Sequence, residues 1–333
     1  MPLRALAAAA ASLALGGWIT YWDFESGLRR VEASPGAYAD VFLFAGQLDR
    51  QGRPELSGSG IDWPKAVARV RAAGARPWLT IVNDRAGAPG EPVTLKDAEI
   101  VGAVLGDAAA ARDHRGRIVA LARQIGVSGV DLDYENLPAS ERDRYTAFVR
   151  ALAGDLRESG LALSVTVQPK TGDVRSRGPG AADWGALCAA ADRVQVMLYN
   201  EHNASTEPGP IASRGWIDRV LDFGAEACPP SRLVPVLKVS GMDWGPRSAD
   251  WVTYAEASER ARRREAKLRR ERSGRQPWFA YDAADGRHVV YFEDAKSLSA
   301  TASVLRRRGH RAVVLWSLGA EDPETARRIA QNR

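Results

Sequence analysis

Short apolar runs alternate with amphipathic stretches along most of the chain, the pattern of repeated βα units around a parallel sheet. The runs that read as strands are Trp18–Trp22, Val41–Ala45, Pro77–Val82, Gly129–Tyr134, Ala162–Val167, Arg193–Tyr199, Val234–Val239 and Ala312–Trp316. Between them the period lengthens to that of helices, over Trp63–Ala73, Arg117–Ile125, Ser140–Glu158, Trp216–Ala227 and a C-terminal stretch after Pro323. Helix starters precede two of these: Asp62 stands before Trp63-Pro64, and Pro138-Ala139-Ser140 leads into the segment carrying Tyr145, Phe148 and Leu152. Eight strands with intervening helices predict a closed (β/α)8 TIM barrel of the α/β class. No glycine-rich loop follows the first strand, which argues against an open dinucleotide-binding sheet.

The spacing breaks once. Roughly seventy residues separate the seventh and eighth strands, far more than a crossover needs. That stretch holds a charged helix, Ala255–Arg272, then two alternating runs, Pro277-Trp278-Phe279-Ala280-Tyr281 and His288–Phe292, around a turn at Asp285-Gly286. The runs read as a β-hairpin. A small α+β insertion, residues 245–300, is therefore expected within a single catalytic barrel of residues 15–333.

Composition adds little to the class but narrows the setting. The 333 residues are 45% hydrophobic and 26% charged, ordinary for a globular protein with a large core. The net charge of +5 owes much to residues 260–275, which read as a solvated basic face. No zinc finger or basic-aromatic groove points to nucleic acid. The N-terminus has one basic residue, Arg4, then an Ala-rich apolar run ending at Ser12-Leu13-Ala14. It reads as a signal peptide of residues 1–14, hence an exported protein (periplasmic, cell-wall or secreted) with no stable membrane insertion after processing. Cys188 and Cys228 lack metal-ligand spacing and fall in helical segments; burial as small apolar residues is expected, with a disulfide after export as the other reading. The four histidines, His114, His202, His288 and His310, are not paired at ligand spacing, so no metal or organic cofactor is expected. A monomer is expected.

The segment richest in chemistry is Val127-Ser128-Gly129-Val130-Asp131-Leu132-Asp133-Tyr134-Glu135. Strand alternation puts Asp131, Asp133 and Glu135 on one face and Val130, Leu132 and Tyr134 on the other. Three carboxyls facing a barrel interior cannot all ionise freely, so at least one pKa should rise. Glu135, last on the strand, would stand at the C-terminal mouth, where barrel enzymes place their chemistry. A carboxyl kept protonated there is what a general acid requires.

This segment resembles the family 18 glycoside hydrolase signature, Asp-Gly-x-Asp-x-Asp-x-Glu. The resemblance puts Glu135 at the catalytic acid, Asp133 at the carboxylate that orients the substrate acetamide, and Asp131 at its buried partner. Ser128 stands where that family has its first Asp, a departure bearing on the pH optimum. Gln195-Val196-Met197-Leu198-Tyr199-Asn200 resembles the sixth-strand Met-x-Tyr-Asp motif, with Tyr199 bonding the acetamide and Asn200 replacing the charged residue by a neutral one. Leu315-Trp316-Ser317 resembles the last strand, with Trp316 as the aromatic floor under the sugar. Further segments, Asn200-Glu201-His202 to Ala212 among them, are similar to the subgroup of spore-cortex and peptidoglycan N-acetylglucosaminidases. Asn83, Gln168 and Asp243 fall after strands at the same mouth, as substrate contacts or loop caps. The resemblance implies hydrolysis of a β-linked N-acetylglucosamine polysaccharide, peptidoglycan before chitin or N-glycans. A sugar-binding protein without activity, or a structural envelope protein, is the alternative class.

Overall fold

A computed structural model describes residues 13–331, apart from residue 89 and residues 273–274. Eight parallel strands close into a barrel: β1 (Ala14–Thr20), β2 (Asp40–Leu48), β3 (Arg76–Arg85), β4 (Gly129–Asp133), β5 (Ala162–Val167), β6 (Arg193–Met197), β7 (Leu233–Lys238) and β8 (Ala312–Trp316). Closure comes from β1, which pairs with β2 from Gly16↔Asp40 and with β8 from Ala14↔Ala312. Helices on the outside cover the sheet, so the chain is a (β/α)8 barrel.

Strand alternation sorts two cores. Outward residues such as Val130, Leu132, Val165 and Val196 pack under the helices, joined by Tyr145, Phe148, Leu152 and Leu156 of helix Arg142–Glu158. Inward residues, Trp18, Phe42, Trp78, Val234, Val236 and Val314, fill the barrel. Arg193 crosses its floor, 2.9 Å from an Asp40 carboxylate oxygen and over the Trp78 ring. A charge so enclosed needs such a partner.

Local chemistry sets most helix ends. Asp62 caps helix Trp63–Ala72 by accepting from the Lys65 N–H at 3.0 Å. Asp107 caps Ala108–Ile125, which ends on Gly126 at φ 77°, a conformation glycine adopts without Cβ strain. That helix starts nine residues before the apolar period becomes visible at Arg117, because its first turns are alanine and charge.

Several boundaries differ from expectation. The first strand begins at Ala14, four residues before Trp18, and Trp22 has already left it. A domain boundary between residues 14 and 15 therefore falls inside β1; the rest of the proposed signal segment, residues 1–12, lies outside the described residues. The charged helix of the insertion is Tyr254–Arg263, not Ala255–Arg272: Glu265 takes φ 48° just past its end, and Leu268, the one large apolar residue between there and Arg272, is 50% exposed and holds nothing down. The insertion itself is a five-stranded antiparallel sheet, in the spatial order Ala249–Val252, Gly241–Trp244, Gly286–Tyr291, Pro277–Ala283, Arg269–Arg270. It therefore spans 241–291 rather than 245–300. Helix Ala295–Arg307 belongs to the barrel, where Leu298, Ala302 and Leu305 are buried. Cys188 and Cys228 are disulfide-bonded, tying helix Trp184–Ala190 to the end of helix Arg214–Ala227. Among the described residues no helix is long and apolar enough to cross a membrane.

Candidate active site

The site is built on β4 and on the loops at the strands' C-terminal ends. Asp131, fully buried, accepts hydrogen bonds from Thr80, Thr166 and Gln195, the last at 2.8 Å. Trp18 in turn donates to the Thr80 hydroxyl. Burial nevertheless outweighs these donors and raises the Asp131 pKa. Asp133, next on the same face, is driven further: burial first, then the nearby Glu135 and Asp131, raise it well above the ordinary carboxyl range. One of its oxygens is buried with no hydrogen-bond partner.

Glu135 lies just past the end of β4, not on its last residue. Its position is set by Asn83, whose side chain accepts from the Glu135 N–H and donates to the Glu135 carbonyl, both at 2.9 Å. Asn83, inside β3, is itself fully buried, so of the two readings left open for it, sugar contact or local cap, the geometry gives it neither in full: it is a clamp on the acid's backbone. Gln168, at the end of β5, reaches the acid directly, donating to Glu135 Oε2 at 3.0 Å. The other oxygen meets Lys96 Nζ at 2.5 Å.

Lys96 carried no sequence signal. It arrives because the loop after β3 folds back: the Lys96 N–H donates to Asp84 at 2.8 Å and the Asp97 N–H to the Asn83 carbonyl. Burial, and less so the Glu135 charge, raise the Asp84 pKa.

Tyr199 stands just beyond β6. Burial, then Glu135, Asp133 and Asp131, push its phenol pKa well up, so it is a hydrogen-bond donor at any working pH. Asn200, at φ 66°, turns its side-chain oxygen to Lys238 Nζ, 3.4 Å away. Trp316 stands edge-on to Trp18, Phe44 and Trp22. Trp22 is 59% exposed beside it, a second aromatic face at the mouth that strand periodicity had absorbed into β1.

Two residues fall outside this cluster. Asp243 is buried in the insertion, its carboxylate engaged by Arg260, Tyr281 and His288. That full set of partners makes it an anchor of the insertion, not a substrate contact. His202 bonds the Glu207 carbonyl within its own loop. The outward Tyr134 meets His114 on the far side of β4, where burial lowers the imidazole pKa to about 4. Among the described residues no group of three or more His, Cys, Asp or Glu is placed to hold a metal ion.

An inward carboxyl row ending in an acid at a barrel mouth, with a phenol across from it, defines a glycosidase-type site. The family model for Glycosyl hydrolases family 18 matches residues 102–321, and the chain belongs to this family. The Bacillus subtilis protein YdhD, provisionally named a sporulation-specific glycosylase, is 31% identical over 226 residues, covering 66% of this chain and 54% of that relative. The cortical fragment-lytic enzyme of Bacillus subtilis is 27% identical over 229 residues, covering 66% and 53%. The chain thus spans about half the length of these curated relatives. Among solved structures, the chitinase of Chromobacterium violaceum superposes with a TM-score of 0.86 at 25% identity, covering 96% of this chain and 99% of that one.

Proposed function

We propose that this chain hydrolyses β-linked N-acetylglucosamine polymers with retention of configuration, peptidoglycan foremost, using the substrate's own acetamide as nucleophile. The observation that carries the proposal is the Asp133 carboxyl: buried beside Glu135, its pKa raised well above the ordinary carboxyl range by burial and by the neighbouring carboxyls, and left with an unpartnered oxygen. A buried polar atom without a partner costs free energy unless a ligand satisfies it.

A retaining glycosidase with its own nucleophile needs a second carboxylate about 5–5.5 Å from the acid and aimed at the anomeric carbon. Asp133 lies deeper in the barrel than Glu135, on the same face, and suits an amide N–H better. In the proposed sequence the Asp133 proton passes to Glu135, which arms the acid. Glu135 then protonates the glycosidic oxygen as that bond breaks. The acetamide oxygen attacks the anomeric carbon and closes an oxazolinium ring. Asp133, now ionised, accepts the acetamide N–H and balances the ring's positive charge; the Tyr199 hydroxyl donates to the acetamide oxygen before attack. Water next adds at the anomeric carbon as the ring bond from that carbon to the acetamide oxygen breaks, restoring the acetamide; the water gives its proton to Glu135, and that proton returns to Asp133.

NMR of the first-formed anomer tests the scheme, with parallel assays on acetylated and deacetylated oligomers. The β-anomer and no cleavage of deacetylated chains are expected; initial α product overturns it. Mass spectrometry of products from peptidoglycan and from chitin oligomers decides the polymer. Chitin is the second reading, supported by the likeness to the Chromobacterium violaceum chitinase along nearly the whole of both chains. Export also belongs to the proposal, and the Cys188–Cys228 disulfide supports it, because such bonds persist in oxidising compartments.

A further inference from the structure

Lys238 is the last residue of β7, whose Val234 and Val236 both enter the inner core. Strand alternation gives Lys238 the same inward face, and it pairs in register with Trp316 of β8. Its ammonium therefore stands in the ring of side chains at the mouth, beside Asn200. Only 2% of the residue is exposed.

What surrounds this cation is incomplete. Asn200 supplies one neutral oxygen at 3.4 Å, a long contact, and the Trp251 ring covers the other side. Among the described residues no carboxylate forms an ion pair with it. Buried charges ordinarily have a partner of opposite sign or give up the charge, and burial here pushes the Lys238 pKa well down. An apolar residue would continue the run of Val234 and Val236 without that cost. Local rules are broken in this way chiefly where a ligand restores the balance. The cover is also suited to a visitor: Trp251 is 53% exposed and sits on the edge strand of the inserted sheet.

We infer that Lys238, with Asn200 beside it and Trp251 above it, receives a carboxylate carried on the glycan, so that the site selects an acidic N-acetylglucosamine polymer over a neutral one. The inference rests on the proposed glycan-cleaving function and names its substrate class more closely. The fitting group is a lactyl ether acid on alternate sugars. Trp251 swings off the ammonium as the carboxylate enters and stacks on the sugar that bears it.

Binding reads this out without turnover. Glu135→Gln and Glu135→Gln/Lys238→Met full-length proteins are titrated calorimetrically with three tetrasaccharides. One alternates N-acetylglucosamine with N-acetylmuramic acid and keeps its carboxylates free; the second has them as methylamides; the third is the chitin tetramer. The Lys238-containing protein is expected to bind the acid roughly tenfold tighter than the methylamide, the worth of one charge-assisted hydrogen bond. Lys238→Met is expected to bring that ratio close to one, and Lys238→Arg to retain part of it. A ratio near one with Lys238 present overturns the inference. So does a ratio that survives Lys238→Met, which is the result if the lysine merely props Trp251 and its loss weakens all three ligands alike. Failure of all three glycans to bind overturns the glycan reading itself, whereas binding without discrimination overturns only this role of Lys238.

Discussion

The acid at this site is held less by its own strand than by a neighbour. Glu135 lies beyond the last paired residue of β4, and two hydrogen bonds from Asn83 do what a ladder would otherwise do for its backbone. Asn83→Ala leaves the part-buried Glu135 N–H and carbonyl without these partners, at a cost of up to about 1–3 kcal/mol each. It also lets the carboxyl drift, and an ångström of drift is worth on the order of 10²-fold in rate. The expected result is a folded protein with a lowered denaturation midpoint, a kcat down by about that factor and a much smaller change in KM. A kcat within threefold of the parent would mean that Gln168 and Lys96 position the acid unaided.

At the scale of elements, the insertion is fastened to its own base through one buried carboxylate. Asp243 gathers Arg260 from the inserted helix, and Tyr281 and His288 from the two hairpin strands. Burial works against the His288 imidazolium, but its hydrogen bonds to Asp243 and Asp285 outweigh that and raise its pKa above the ordinary value near 6.5. A group with a raised folded pKa stabilises fully below its unfolded pKa and loses that contribution as pH climbs through the folded one. The insertion should therefore loosen as pH rises past 6.5. Limited proteolysis of the 264–276 segment, followed across that range, checks it: cleavage should quicken in the parent beyond the general trend, and show no such step in His288→Gln.

For the whole molecule, the disulfide closes a loop with a sequence separation of 40, and chain entropy assigns such a closure about 4 kcal/mol. Cys188→Ala/Cys228→Ala should lower the unfolding free energy by about 2–4 kcal/mol, and reductant should have no further effect on it. Equal denaturant midpoints for the two proteins would contradict this. Protein isolated from its native host should carry the bond formed, and N-terminal sequencing should find it starting at or before Ala14. A start at Leu15 would strip β1 of Ala14, which pairs with Ala312 and donates its N–H to the Arg311 carbonyl at closure. An intact Met1 on reduced protein would overturn export.

Sequence alone determined the barrel and the carboxyl row, because each is written in a local period. Alternation in β4 separates Asp131 and Asp133 from Val130 and Leu132, and apolar runs of five or six residues mark strands whatever packs on them. Tyr199 and Trp316 each end such a run, but periodicity leaves them as plain core aromatics, and only the likeness of their motifs to the family's marks them as site residues. Tertiary structure alone decided what those groups meet. Lys96 comes to Glu135 through a fold-back of the loop after β3, and among the described residues Lys238 meets the Asn200 oxygen at the mouth and no carboxylate. For Asn83 and Asp243 the choice between substrate contact and structural partner stays open in the sequence, since a side chain's partner from 45 or 52 residues away leaves no trace in its own segment. The disulfide belongs with them. Periodicity reports which face a residue takes, and only the closed barrel reports what stands opposite that face.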